Sequence, residues 1–191
     1  MVRKNEHMFE IMNITPLGIS VLTFLSRSGQ EHFIREIGRE LGSSAGGTHE
    51  VLGSLLDLGL VERRTSGRNV YYRAVNEHPA IRHFKIFTSI MELRTITSSL
   101  EDIASRVILF GSCARGEDSL ESDVDLMVVT RHPAKARKAI RVSGTDRIIN
   151  AVVLKPQEIA ALKRRDRAFY DEAMKGIILG GRGDDDTREV S

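Results

Sequence analysis

Two apolar, β-prone runs flank a segment that begins with a Gly-Ser pair, and this pattern restricts the folds open to the chain. Residues 106–110, RVILF, form a short β-prone run that stops at Gly111, and residues 124–129, VDLMVV, form a second run of the same kind. Because Gly111 and Ser112 follow the first run directly, backbone N–H groups and a hydroxyl can approach an anion closely there. This arrangement suits a triphosphate.

Two aspartates stand at the start of the second run. Asp123 and Asp125 are separated by one residue, so on a strand both side chains project from one face. Adjacent carboxylates repel each other unless a cation lies between them, and oxygen ligands of this kind suit Mg²⁺ shared with substrate phosphates. The sequence therefore predicts that Asp123 and Asp125 ligate Mg²⁺ beside the phosphate-binding pair.

Residues 1–77 show another pattern, in which three helices precede a hairpin. Apolar residues recur at helical spacing in residues 16–25, 33–41 and 51–58, and two β-rich runs flank the turn at residues 66–69. The third helix begins with small polar residues that can enter the major groove, and the hairpin carries arginines that can meet phosphates or the minor groove. The residues predicted to contact DNA are Ser43, Ser44, Thr48, His49, Arg63, Arg64 and Arg68.

The third helix also has a feature that counts against base-specific recognition. No Arg or Lys lies between Leu41 and Leu58, so direct reading of guanine by an arginine is not expected from it. Most of the attraction to DNA would come from the hairpin and from Arg35 and Arg39. A protein-interaction or dimerisation role for this domain remains an alternative.

Both patterns resemble known families. The helices and hairpin of residues 16–75 resemble the winged helix-turn-helix domains. The stretch GSCARGEDSLESDVDLMVV, in which ten residues separate Gly-Ser from Asp-Val-Asp, resembles the minimal nucleotidyltransferases of the DNA polymerase β-like superfamily, over residues 105–180. This resemblance implies that Gly111 and Ser112 hold nucleotide phosphates and that Asp123 and Asp125 bind Mg²⁺. Arg115 is either a phosphate contact or one half of a surface salt bridge.

The sequence departs from the family at one position. Members use a third carboxylate on a later strand, and here that strand, DRIINAVVL at residues 146–154, carries Asn150 in its middle. Asparagine is neutral and cannot accept a proton, so metal affinity and activation of a hydroxyl should both suffer. Asp146 would substitute only if the strand began earlier. The third position is thus predicted to be degenerate.

These patterns predict an α+β chain with a mixed β-sheet in its second domain. The predicted segments are a winged helix at residues 1–77, a long connecting helix at 78–104, a nucleotidyltransferase domain at 105–180 and a disordered tail at 181–191. The connecting helix is apolar on more than one face, so it serves either as a connector or as a dimer interface. Residues 157–178 are expected to form one amphipathic helix.

Three functions are compatible with the motifs. The first is transfer of a nucleoside monophosphate from an NTP, with ATP as the first choice, to a hydroxyl acceptor. The second is a catalytically degenerate transcriptional regulator that binds double-stranded DNA and senses a nucleotide. The third, implied by the resemblance alone, is an antitoxin that modifies a protein partner. A homodimer would suit two-fold DNA sites.

The composition of the chain indicates where in the cell these functions would take place and which partners are expected. The chain has 191 residues, 41% of them hydrophobic, and no apolar run approaches the roughly 18 residues of a membrane span. We therefore expect a cytoplasmic protein with no membrane partner. Cys113 is the single cysteine, so no disulfide within the chain is possible. Basic side chains cluster at residues 62–73, 131–147 and 163–167, which favours anionic partners. Among them, Arg147 could neutralise a triphosphate, as could the nearby Lys155.

Overall fold

The computed structural model describes residues 14–142 and 144–182, and the chain divides into two compact units, Met1–Lys85 and Ile86–Ser191. Residues 1–13 of the predicted winged helix lie outside the described residues, as does the predicted tail from residue 183 onward. Within the described ranges, no helix is long and apolar enough to cross a membrane.

The N-terminal unit has the predicted order of three helices and a hairpin. Its elements are α1 (Pro16–Ser28), β1 (His32–Phe33), α2 (Ile34–Glu40), α3 (Ala45–Asp57), β2 (Val61–Ser66) and β3 (Asn69–Ala74). The strands form an antiparallel sheet in the order β1-β3-β2. The sequence does not predict strand β1, because so short a bridge has no period that a sequence pattern can show.

Local signals set the helix boundaries in this unit. The Thr15 hydroxyl accepts the Gly18 N–H at 3.1 Å at the start of α1, and Gly29 ends that helix with a φ of 64°. The Ser44 hydroxyl accepts the Gly47 N–H at 3.1 Å at the start of α3. These contacts satisfy backbone groups that a helix end otherwise leaves without partners.

A single apolar core holds the unit together. It joins the buried faces of the three helices to the sheet, and its fully buried members include Val21, Leu22, Leu25, Ile37, Leu52 and Leu55. Truncating one such leucine to alanine typically costs about 2–5 kcal/mol. The core therefore fixes the position of α3 relative to the hairpin.

The segment predicted as one connecting helix at residues 78–104 contains two helices. They are α4 (Pro79–Glu92) and α5 (Arg94–Leu100). Leu93 lies between them with turn geometry, and its side chain is 1% exposed. In α5, which follows Leu93, Thr97 Oγ1 donates to the Arg94 carbonyl at 2.9 Å. A side-chain hydroxyl of this kind competes with backbone N–H groups for the carbonyl acceptor. The apolar spacing could not show this break, because Leu93 stays on the buried face.

Helix α4 contributes to both cores. Ile81 and Phe84 pack in the core of the N-terminal unit, and Ile90 packs against that of the C-terminal unit. Two other apolar side chains of α4, Phe87 and Met91, are 56% and 46% exposed. That this helix forms a dimer interface remains a prediction.

The C-terminal unit is built on the predicted mixed sheet. Its elements are β4 (Arg106–Phe110), α6 (Gly111–Arg115), β5 (Val124–Val129), α7 (Pro133–Val142), β6 (Ile149–Leu154), α8 (Glu158–Arg165), α9 (Arg167–Met174) and β7 (Ile177–Gly180). The strand order is β6-β5-β4-β7, with β5 and β6 parallel and the other pairs antiparallel.

The sheet is covered on both faces. Leu126 and Val128 of β5 pack in one core with α5 and α7. Met127 belongs to a second cluster, which includes Phe110, Leu162 of α8 and Ala173 of α9. Side chains alternate along a strand, so Asp125 projects from the same face as Met127.

Residues 157–178, predicted as one helix, form α8, α9 and the start of β7. Asp166 interrupts the helix with a φ of −142°, and its carboxylate accepts the Phe169 N–H at 3.0 Å to begin α9. Gly176 then packs so tightly on β4 that a Cβ there would lie 2.7 Å from Ile108 Cγ2. The prediction was wrong because a short apolar run, bounded by Gly176 and ending at Gly180, was read as helix rather than as an edge strand.

Two residues assigned to the disordered tail belong to the folded unit. The Arg182 N–H donates to the Ala104 carbonyl at 3.1 Å, and its guanidinium pairs with Asp102 at 2.6 Å. Gly181, which precedes it, has a φ of 125° and lies against Ser105.

Candidate functional site

The predicted site residues of the C-terminal unit meet at one edge of its sheet. Strand β4 ends at this edge, and the parallel strands β5 and β6 both begin there. Asp125 is paired in register with Phe110 on one side and with Asn150 on the other. Asp123 precedes β5 directly. The structure thus brings together five residues that are scattered along the sequence, namely Gly111, Ser112, Asp123, Asp125 and Asn150.

Gly111 is required by its contact with the second aspartate. Its φ is 69°, in the left-handed region, and a Cβ built there would lie 3.2 Å from Asp125 Cγ and collide with the carboxylate oxygen. A side chain at position 111 would therefore displace the carboxylate. The backbone reaches Asp125 closely only because position 111 is glycine.

Ser112 follows on the short helix α6. Its carbonyl accepts the Glu117 N–H at 2.9 Å, which helps to close the turn after the helix. Within residues 14–142 and 144–182, its hydroxyl has no hydrogen-bond partner, and the residue is half-buried. This hydroxyl can donate to a bound anion without breaking a bond in the described protein.

Asn150 lies in the position predicted for the third carboxylate. Its amide nitrogen donates to Asp123 Oδ2 at 3.0 Å, and its backbone is in register with Asp125. Strand β6 begins at Ile149, so Asp146 is not on the strand, and its side chain is exposed. A neutral amide, and not an acid, therefore faces the two aspartates.

The surroundings shift the proton affinity of one aspartate. Burial raises the pKa of Asp125 above its ordinary value, and the neighbouring Asp123 charge raises this pKa further. The nearby Asn150 amide and the positive charge of Arg115 lower the same pKa, but burial is the largest influence. Asp125 is thus a carboxylate whose charge lacks full compensation, which is the condition that a bound cation relieves.

Arg115 forms the surface salt bridges that were the alternative to a phosphate contact. Its guanidinium donates to Glu117 at 2.7 Å and also to Glu172 of α9. The side chains of all three are about half exposed. Exposed pairs of this kind contribute about 0–1 kcal/mol, so Arg115 can exchange a carboxylate for a phosphate at little cost.

Arg147, one of the two cations predicted to neutralise a triphosphate, has a supporting role in the structure. Its Nη2 donates to the Ser122 carbonyl at 2.8 Å and to Cys113 Sγ at 3.2 Å, and its Nη1 lies 3.4 Å from the buried Asp118 carboxylate. These bonds tie the loop before Asp123 to helix α6. Sequence reasoning missed this role because Asp118 and Arg147 lie far apart in the sequence, with no pattern that links them.

Cys113 itself is fully buried. Its Sγ lies 3.5 Å from the Asp123 carbonyl, and it packs in the core with Val124 and Leu126. This environment fits a small core residue and not an accessible thiol.

The donor set fits one cation that prefers oxygen ligands. Asp123 and Asp125 provide carboxylates on one face, and Asn150 adds a neutral amide next to them. No group of three or more His, Cys, Asp or Glu side chains comes together anywhere in the part of the chain that the structure describes.

The predicted DNA-contacting residues of the N-terminal unit differ in accessibility. Ser44 and His49 are exposed at the start of α3, and Ser43 is half-buried. Thr48 is fully buried, and its hydroxyl donates to the Ser44 carbonyl at 2.9 Å. A buried hydroxyl cannot reach a base edge, so we remove Thr48 from the candidate interface.

The wing, defined as the hairpin of β2 and β3, carries the three predicted arginines. All three are exposed, and Gly67 makes the turn between the strands with a φ of 62°. Arg64 is held by Glu31 at 2.5 Å, with its guanidinium 4.9 Å from the centre of the Tyr71 ring. Among the described residues, Arg63 and Arg68 make no ion pair. These two are the cations that the wing can offer to phosphates.

Comparison with known proteins gives matches to both parts of the chain. A family model described as a nucleotidyltransferase domain matches residues 90–175, and a MarR family model matches residues 12–69. A search of curated proteins gave no match.

Solved structures give weaker similarities. A homodimeric winged helix-turn-helix DNA-binding domain from Mycobacterium bovis is 21% identical, with 49% of this chain and 88% of that chain covered and a TM-score of 0.40. NolR from Sinorhizobium fredii is 18% identical over 47% and 86% of the two chains, with a TM-score of 0.39. A candidate nucleotidyltransferase from Sulfolobus solfataricus is 17% identical over 51% and 85%, with a TM-score of 0.34.

The two family models agree with the architecture of the unit that each one matches. The chain therefore combines a MarR-like winged helix, at residues 12–69, with a nucleotidyltransferase domain, at residues 90–175.

Proposed function

We propose that this protein is a DNA-binding regulator whose nucleotidyltransferase domain binds a nucleoside triphosphate with Mg²⁺ and does not use it efficiently in transfer. The observation that carries the proposal is the position of Asn150. The residues that the family resemblance assigns to the nucleotide lie around it, and the residue that faces both aspartates is neutral.

Binding of the nucleotide would depend on four residues. The backbone at Gly111 and the hydroxyl of Ser112 would donate to phosphate oxygens. Asp123 and Asp125 would hold Mg²⁺, which when bound neutralises phosphate charge and the uncompensated charge of the aspartate pair. Among the four NTPs, ATP is the first to test.

The weakness in transfer follows from the chemistry of asparagine. In transfer, the acceptor hydroxyl oxygen bonds to the α-phosphorus, the bond from that phosphorus to the bridging oxygen breaks, and pyrophosphate leaves. The hydroxyl proton must pass to a base or to solvent. Asn150 cannot take it, and Asp123 already accepts a hydrogen bond from the amide.

Transfer to a hydroxyl acceptor is the second candidate function. The observation that favours it is the close approach of Gly111 to Asp125, which a domain without a ligand at this edge would not need. The acceptor would be a hydroxyl on nucleic acid, on a small molecule or on a protein partner, as in an antitoxin that modifies a toxin.

Binding of double-stranded DNA is proposed for the winged helix. It is supported by the exposed wing cations Arg63 and Arg68 and by the exposed start of α3 at Ser44 and His49. Helix α3 carries no Arg or Lys, which favours phosphate contacts over base readout. A homodimer in the cytoplasm would fit this role, and light scattering of the purified protein measures its mass.

A transfer assay separates the two candidate functions. The purified protein is incubated with each α-labelled NTP, Mg²⁺, RNA and cell extract, with Asp125→Asn as the matched control. We expect no label transfer above that control, while the nucleotide still binds. Transfer that requires Asp125 would establish the enzyme instead.

A further inference from the structure

The basic helix α7 carries a row of positive charges that the proposed nucleotide site does not use. Lys135, Lys138 and Arg141 recur at every third position, so they lie along one side of the helix over about 9 Å. All three are exposed. Residues 131–145 contain no acidic residue, so the row has no compensating charge on its own segment.

No neighbouring element supplies that compensation within residues 14–142 and 144–182. Some arginines elsewhere in the C-terminal unit are paired, as Arg115 is with Glu117 and Arg167 is with Asp171. None of the ion pairs between described residues involves Lys135, Lys138 or Arg141. Three like charges along one side of a helix repel each other, and an external anion would relieve this repulsion.

The row cannot serve the nucleotide. Ala136 and Ile140 anchor α7 to the sheet face that carries Leu126 and Val128. Asp125 projects from the opposite face, together with Met127. The sheet therefore lies between these cations and the site of the proposed triphosphate.

The geometry of the helix also argues against a membrane surface as the partner. A helix that lies on a membrane keeps its apolar face free for the lipid, and here the apolar residues Ala136 and Ile140 are buried in the core of the protein. Only the charged side is available. A polyanion that presents regularly spaced charges fits such a row.

We propose that the exposed side of α7 binds the phosphate backbone of double-stranded DNA, without reading sequence. This inference rests on the proposed DNA binding of the winged helix, which makes duplex DNA the polyanion that the chain already has reason to meet. Duplex DNA carries one charge per about 1.7 Å of axis, so a row of about 9 Å spans the length of about five phosphates. The nucleotidyltransferase domain would thus add sequence-independent affinity.

The test uses the full chain and a duplex of random sequence, with fluorescence anisotropy measured from about 50 to 200 mM salt. The triple variant Lys135→Gln, Lys138→Gln, Arg141→Gln should make the slope of log K against log salt shallower by about 2.7, because each phosphate contact contributes about 0.9. Over this fourfold salt range, the parent should lose about 40-fold more affinity than the variant.

The matched control is the triple variant Lys163→Gln, Arg164→Gln, Arg165→Gln on α8. It removes the same charge from the other face of the sheet, where consecutive positions distribute the charges around the helix instead of aligning them. Its slope should stay near that of the parent. If the salt slope became shallower by the same amount in both triple variants, net charge alone would explain the effect, and the proposal would be overturned.

The same measurements separate DNA binding by α7 from DNA binding by the winged helix. If the α7 variant binds DNA as the parent does while Arg68→Ala weakens binding, the winged helix binds DNA and α7 does not. Binding of an acidic polypeptide that depends on α7, with DNA binding unchanged, would also overturn the inference. Should the triple variant melt at a lower temperature than the parent, Lys138→Gln alone must still reduce the slope by about 0.9.

Discussion

Replacing Asn150 with aspartate tests whether this residue faces the carboxylate pair. In the parent, the amide donates to Asp123 at 3.0 Å, and in Asn150→Asp this attraction becomes a repulsion between like charges. Two charges about 4 Å apart interact by about 1 kcal/mol in water and about 4 kcal/mol at the effective dielectric of a protein surface. Because Asn150 is exposed, the lower part of this range applies, and we expect a loss of about 1–3 kcal/mol without metal.

The assay is thermal melting at neutral pH with and without Mg²⁺. In a chain of this length, about 1 kcal/mol corresponds to about 2–4 °C, so Asn150→Asp should melt about 2–12 °C below the parent without metal. Added Mg²⁺ should recover most of this difference. Transfer from an α-labelled NTP should also rise, since one positioned acid or base typically contributes about 10²- to 10⁴-fold.

The control is Asn150→Ala, which removes the amide without adding charge. It should cost about 1 kcal/mol or less, with no greater dependence on Mg²⁺ than the parent shows. Should the aspartate and alanine variants melt alike in both conditions, position 150 does not face the pair, and the assignment of a degenerate third position is refuted.

Three further outcomes are expected from the same structure. Gly111→Ala should lower stability more than Gly67→Ala, because both positions have positive φ but only the first would bring a Cβ against Asp125; parallel denaturant titrations measure the difference. The raised pKa of Asp125 means that the folded state holds its proton more tightly than the unfolded state does. The free energy of unfolding should therefore fall as pH rises from about 4 through that raised pKa, and Asp125→Asn should remove this part of the pH dependence in calorimetry. In DNA binding, Arg63→Ala and Arg68→Ala should each make the salt slope shallower by about 0.9, whereas Arg64→Ala should change it less because Glu31 already neutralises that arginine; equal slopes for all three would contradict this reasoning.

The sequence predicted the parts of the site that depend on local pattern. Gly111 and Ser112 directly follow strand β4. Asp123 and Asp125 stand two residues apart at the start of the neighbouring strand β5, so strand alternation places both carboxylates on the same face of the sheet. The place of Asn150 could be predicted only through the family resemblance, because the parallel pairing of β5 with β6, across an intervening helix, leaves no local signal.

Features that depend on tertiary packing were not predictable in this way. Thr48 has the small polar side chain expected of a residue that contacts the DNA groove. In the structure it is buried, and its hydroxyl donates to the Ser44 carbonyl at the start of α3. Arg147 was a candidate to neutralise the triphosphate because it lies near strand β6 in the sequence. In the structure, the Ser122 carbonyl and the Asp118 carboxylate hold its guanidinium against a loop. The edge strand β7 is too short for its period to show, and its pairing with β4 decides its conformation.

Nucleotide binding by this edge of the sheet is measured directly as the affinity of the purified full chain for ATP, determined by calorimetric titration with and without Mg²⁺ and repeated for Asp123→Ala and Asp125→Ala. We expect saturable binding that Mg²⁺ strengthens, and either substitution should remove the part of the affinity that depends on the metal. If the parent binds no nucleotide, or if both variants keep the full response to Mg²⁺, then this edge of the sheet is not a nucleotide site.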